Sequence, residues 1–99
     1  MVDAYIFDAV RSPRGKGKKS GSLHEITALS LLTQQLEAIK NRNNLDTSKV
    51  DDIIMGCVSP VAGQGADIAR SAAITANYNQ TAAGVTVNRF CASGLEAVN

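Results

Sequence analysis

The sequence predicts an α/β fold with helices on both faces of a mostly parallel sheet. Three observations carry that expectation. Short runs rich in β-branched and aromatic residues alternate with helical patterns in the order β-α-β-α-β-α. The run DDIIMGCV is apolar on both faces, as a strand inside a parallel sheet requires. The stretches between strands are long enough for crossovers and too long for hairpins.

VDAYIFDAV is the first expected strand, largely buried through Tyr5, Ile6, Phe7 and Val10, with Pro13 and Gly15 ending it. RGKGKKSG is a loop of glycines and basic residues with nothing apolar to bury. Ser22 and Glu25 fit a capping box that opens the first helix. Leu29, Leu32, Leu36 and Ile39 follow at spacings of three and four, with Ile26 on the same side. Asn41, Arg42, Asn43 and Asn44 end that helix in residues that favour turns.

Asp46 to Val50 reads as a short helical turn, DDIIMGCV as the second strand and SPVAGQG as a loop. ADIARSAAITA is the second helix, whose Ala69, Ala72, Ala73 and Ala76 allow close approach of a neighbour. A turn over Asn77 to Gln80 leads to a third strand, GVTVN, and CASGLEAVN opens a third helix with Leu95 and Val98 on one side.

Composition narrows the function classes. With 44% hydrophobic and 19% charged residues the chain is an ordered globular one, not a disordered segment. Four aromatic side chains and no Trp leave the core to Ala, Val, Ile and Leu. A formal charge of +1 gives no global reason to expect nucleic acid or an anionic membrane as partner. No apolar stretch approaches the roughly 20 residues that span a bilayer. The N-terminus carries Asp3 and Asp8 and is not a secretory signal. Two distant cysteines make neither a disulfide framework nor a metal site, so a reducing, cytoplasmic compartment is expected. Three strands with two and a half helices make a poor closed unit. Residues 1–99 are therefore expected to be an incomplete domain, the front part of a longer parent.

Nucleotide-binding patterns fail in detail. The phosphate loop needs glycine five positions after Gly15 and finds Ser20. The dinucleotide fingerprint finds Ser20 after Gly15 and Gly17, and the bulky Ile68 after Gly63 and Gly65. The basic loop from Arg11 to Lys19 reads as a solvated loop or as a phosphate contact, and no aromatic residue interleaves with its lysines for base stacking. His24 reads as a surface or capping residue, and Cys57, embedded in IIMGCV, as a small buried one. Cys91 stands apart because it falls where a strand meets a helix. Unpaired N–H groups at a helix N-terminus stabilise a thiolate and can hold the oxyanion formed when a thioester is attacked. Small neighbours, Ala92, Ser93 and Gly94, leave room for an acyl donor. On its residues alone Cys91 reads equally as a nucleophile or as an inert small side chain.

The segment NRFCASGLEAV resembles the active-site segment of thiolases. AYIFDAVRSPRG is similar to the opening strand and loop of that family, DDIIMGCV to its second strand and GQGADIARSAAI to its second helix. The resemblance covers the whole chain and implies the N-terminal part of the layered α/β/α/β/α thiolase fold. It implies acyl transfer between CoA thioesters, with acyl-CoA and CoA as substrates and no permanently bound cofactor or metal. It further implies a dimeric or tetrameric parent that takes no nucleic acid and enters no membrane. Cys91 matches the family's nucleophile, and its backbone N–H matches one oxyanion donor. The activating histidine of a Gly-His-Pro segment and the second cysteine of a Cys-x-Gly segment do not occur in these 99 residues. Loops that contact CoA in the family also lie further along. The isolated chain is expected to be inactive, with synthesis and degradation both open. A non-catalytic α/β module that holds a phosphorylated ligand on Arg11–Lys19 is the alternative, and a truncated assembly partner is another.

Overall fold

A computed structural model describes residues 2–99. The regular elements are α1 (Ala28–Arg42), β1 (Asp52–Gly56), α2 (Ile68–Thr75), β2 (Ala83–Val87) and α3 (Ser93–Val98). Single 3-10 turns at Thr47–Lys49 and Ala62–Gln64 precede β1 and α2. The two strands pair in parallel, with Ile53 opposite Gly84 and Met55 opposite Thr86. The α/β class and its parallel sheet are as the sequence predicts.

The expected first strand does not form. Residues 2–10 pair with neither β1 nor β2, and Ile6 and Phe7 are 83% and 94% exposed where burial was expected. β-propensity records how well a side chain fits a pleated, half-buried surface, and without a neighbouring edge that preference has nothing to act on. What holds this segment is Asp8. Its carboxylate accepts from Asn43 Nδ2 at 2.7 Å and meets Arg42 Nε at 3.1 Å, which ties it to the end of α1. The Asn43 bond first, then the Ala9 N–H and the Arg42 guanidinium, hold the Asp8 carboxyl below the usual carboxylate range.

Helix α1 begins at Ala28, six residues after the expected Ser22. Thr27 is the cap, its Oγ1 accepting from Ser30 N at 3.0 Å. The segment before it is spent on successive turns, with His24 N donating to Gly21 O and Ile26 N to Leu23 O. Ser22 and Glu25 thus form no capping box. A short helix is stable mainly where packing supports it, and that support comes from Leu29, Leu32 and Leu36. At the other end Asn44 adopts a left-handed φ of 46°, and Leu45 N donates back to Lys40 O at 2.9 Å.

The core is small-residue packing. Ala69, Ala72, Ala73, Ala76 and Ala82 are fully buried, beside Leu36, Ile53 and Tyr78. The alanine face of α2 lets both α1 and the sheet come close. At Gly84 the approach is backbone to backbone, because a Cβ there would lie 2.7 Å from Arg70 N. Asp67 locks the arrangement, capping α2 through Arg70 N and accepting from Thr86 Oγ1 at 2.9 Å. Tyr78 reaches across to donate to Leu36 O at 2.8 Å.

Candidate active site

The C-terminal ends of the two strands carry the site. After β2 ends at Val87, Cys57 N still donates to Val87 O at 3.0 Å, so the strands stay in register past their named ends. Asn88 then makes the first brace of a tight turn. Its Nδ2 donates to Val58 O at 3.2 Å, and its Oδ1 accepts from Phe90 N at 2.9 Å. Phe90 takes a left-handed φ of 49°, a conformation uncommon for a non-glycine residue.

Ser93 makes the second brace. It is 2% exposed; its Oγ accepts from Arg89 N at 2.8 Å and donates to Phe90 O at 2.6 Å. Backbone bonds from Ala92 N to Arg89 O and from Ser93 N to Phe90 O, both 3.0 Å, close the turn. On the outside, Arg89 Nη2 pairs with Glu96 Oε1 at 3.2 Å.

Cys91 sits at the apex of this turn, exposed to solvent. The turn employs the amides of Phe90, Ala92 and Ser93 and leaves the Cys91 N–H without an acceptor among the described residues. The helix expected to open at Cys91 starts two residues later, at Ser93, because the intervening residues are held in the turn. Cys91 therefore projects from a rigid corner ahead of α3.

Gly56 explains why the corner stands where it does. A Cβ on Gly56 would collide with the backbone of Ser93 and Gly94, so α3 begins directly against the face of β1. Reading the sequence for reactive groups passed over Gly56, Asn88 and Ser93. The signal for Gly56 was present: an isolated glycine inside an apolar strand marks close backbone approach. Asn88 at a strand end was legible as a turn former, whereas the role of Ser93 depends on partners the pattern does not reveal.

The other singled-out residues lie apart from Cys91. Cys57 is buried, its thiol 3.5 Å from Gln64 Oε1, beside an apolar cavity of about 280 Å³ lined by Leu31, Leu32, Met55 and Ile68. His24 is half-exposed, 3.7 Å from Glu25 Oε1 and outside any helix. No cluster of three or more His, Cys, Asp or Glu side chains stands together among the described residues. No helix of the structure is long and apolar enough to cross a membrane.

Comparison with known proteins covers nearly all of this architecture. The profile described as "Thiolase, N-terminal domain" matches residues 4–99. A 3-ketoacyl-CoA thiolase of Psychrobacter sp. (strain PRwf-1) is 39% identical over 97 residues, which are 98% of this chain and 25% of that protein. The 3-ketoacyl-CoA thiolase of Shewanella denitrificans is 39% identical over 100 residues, covering 100% of this chain and 26% of its own length. That of Acinetobacter baylyi is 39% identical over 97 residues, 98% of this chain and 25% of its own. The chain thus spans about a quarter of the length of the relatives it matches. Its match to the family profile, together with this identity along its full length, shows that the chain belongs to the thiolase family and corresponds to its N-terminal domain.

Proposed function

We propose that the chain supplies the acyl-accepting nucleophile, Cys91, of an enzyme that moves acyl groups between CoA thioesters. One observation carries the reading: Cys91 is solvent-exposed at the apex of a braced turn, with its own N–H free of any acceptor among the described residues. In the step proposed, the Cys91 sulfur attacks the thioester carbonyl carbon. The carbonyl electron pair moves to oxygen, and the Cys91 N–H donates to the oxyanion. When the carbonyl re-forms, the carbon–sulfur bond to CoA breaks. The departing thiolate takes up a proton, and an acyl–Cys91 thioester remains. CoA is a substrate here and not a resident cofactor.

A base must remove the Cys91 proton first. The thiol hydrogen bond that the described residues do provide belongs to Cys57. The Gly-His-Pro and Cys-x-Gly segments that supply acid–base groups in thiolases do not occur in the 99 residues. We therefore assign turnover, in either direction, to a complete protein in which this chain is the N-terminal part. That protein would be cytoplasmic and homo-oligomeric.

Trapping tests the assignment. The chain is co-expressed with the remaining three-quarters of the Psychrobacter relative, exposed to labelled acetyl-CoA, quenched in acid and digested. That relative's own N-terminal quarter in the same assay establishes that reconstitution works. The label should appear on the peptide containing Cys91 and vanish in Cys91→Ala. Label on Cys57, or none where the relative's own quarter is labelled, overturns the proposal.

A further inference from the structure

We infer that the loop from Arg11 to Lys19 is a binding site for a small molecule bearing two or more phosphate groups. The inference stands independently of any role for Cys91. Five of the chain's ten Lys and Arg residues fall within these nine positions: Arg11, Arg14, Lys16, Lys18 and Lys19. No carboxylate occurs between Asp8 and Glu25. The rest of the chain, with five cations against nine carboxylates, is net negative. The positive charge is therefore local.

Elsewhere in the molecule four of the five cations are engaged, Lys49 being the exception among the described residues. Lys40 donates to Ala76 O and lies 5.7 Å from the Tyr78 ring centroid. Arg42 pairs with Asp8, Arg70 donates to Ala82 O at 2.7 Å, and Arg89 pairs with Glu96. None of the five loop cations has a hydrogen-bonded or ion-pair partner among the described residues. Of the two carboxylates that flank the loop in sequence, Asp8 is held by Asn43 and Arg42, and Glu25 makes no ion pair with any loop cation.

The lysines, at least, do not trail from a loose strand. Lys18 N donates to Lys16 O at 2.9 Å and Gly21 N to Lys18 O at 2.8 Å, which folds the lysines onto one bend. Gly21 is required there, since a Cβ would collide with Lys16 O. Next to the bend, Arg11, Ser12, Pro13 and Arg14 line an open concavity of about 740 Å³, large enough for a nucleotide-sized anion. Like charges gathered on one short stretch, with no carboxylate among them, repel one another until an anion neutralises them, and salt screens that repulsion. Guanidinium groups grip phosphate oxygens in pairs, and ammonium groups add point charge.

Two macromolecular ligands fit less well. Single-stranded nucleic acid is held largely by aromatic stacking platforms, and no Phe, Tyr or Trp lies between Asp8 and Thr27. Stable attachment to a membrane surface takes an apolar anchor beside the basic charge, and between Val10 and Leu23 the loop offers only Pro13.

Isothermal titration of the chain tests the inference with adenosine 3′,5′-bisphosphate, adenosine triphosphate, a single-stranded 20-mer and anionic phospholipid vesicles as probes. One or both nucleotides should bind, more weakly as salt rises. Lys16→Gln/Lys18→Gln/Lys19→Gln should weaken binding by about tenfold or more, the loss expected for one charge-assisted hydrogen bond. Tighter binding of the bisphosphate would point to the nucleotide end of CoA as the source, and tighter binding of the triphosphate to a free nucleotide. Cys91→Ala should bind as well as the parent chain, which separates this site from the acyl-transfer reading. The inference fails if neither nucleotide binds at millimolar concentration, if the triple variant binds equally well, or if the 20-mer or the vesicles bind more tightly than both.

Discussion

Replacing Gly56 by alanine probes the contact that places the Cys91 turn. The new Cβ would sit 2.5 Å from Ser93 O and Gly94 N, against the 3.4 Å at which ordinary contact starts. All the atoms it meets are backbone, so no side chain can rotate aside. Overpacking of this kind costs about 1–3 kcal/mol. Against it stands a gain of about 0.5–1 kcal/mol, because alanine loses less freedom than glycine on entering a strand. The difference spans about 0–2.5 kcal/mol, and because the contacts are close and all to backbone the expected destabilisation is about 1–2 kcal/mol, a factor of roughly 5–30 in the folded-to-unfolded ratio. Urea unfolding followed by circular dichroism reads the change. Gly63→Ala is the matched control, since a Cβ there meets nothing within 4 Å. Because the clash falls on Ser93 and Gly94, the rate of Cys91 alkylation by iodoacetamide should also shift in Gly56→Ala and stay constant in Gly63→Ala. Equal stability of the two variants would refute the close approach of α3 to β1.

Two further outcomes are expected. Ser93→Ala leaves Arg89 N without its buried acceptor, while Phe90 O keeps the Ser93 N–H, and should cost about 1–3 kcal/mol in the same unfolding assay; a change within error would show that the hydroxyl does not brace the turn. Asp8 titrates below its unfolded value of about 3.9, so its stabilising contribution is present above that pH and is lost as pH falls through the lower folded value. Carbon-detected NMR of the Asp8 carboxyl should place its midpoint below that of an ordinary aspartate, and Asn43→Ala should move it up. An unmoved midpoint would remove Asn43 as the principal cause.

Local patterns proved a good guide wherever the deciding interaction was itself local. The strands at Ile53 and Val85 and the alanine helix from Ile68 follow directly from periodicity and from residue size. The start of α1 was misplaced because a Ser-x-x-Glu spacing is compatible with a capping box without requiring one. In the structure His24 N and Ile26 N are drawn into turns onto Gly21 O and Leu23 O, so the backbone does not take the helical path that a cap at Ser22 needs. Tyr5, Ile6 and Phe7 read as a strand because their type fits one, but pairing is a property of two segments and only one of them was being read. Cys91 at the corner between strand and helix was legible. Gly56 left a trace as an isolated glycine in an apolar strand, but neither the segment whose backbone contacts it nor the bracing by Ser93 was legible, because both depend on partners remote from the local pattern.

That contact also bears on how such a site tolerates change. The corner holding Cys91 is positioned by main-chain atoms of Ser93 and Gly94 lying on the bare surface of Gly56, while Phe90, Cys91 and Ala92 face outward. Anchorage and exposed chemistry are thus assigned to different residues. Drift at the outward positions can alter what the corner offers a ligand without moving it, whereas drift at Gly56, which contributes no side chain, shifts the whole constellation at once.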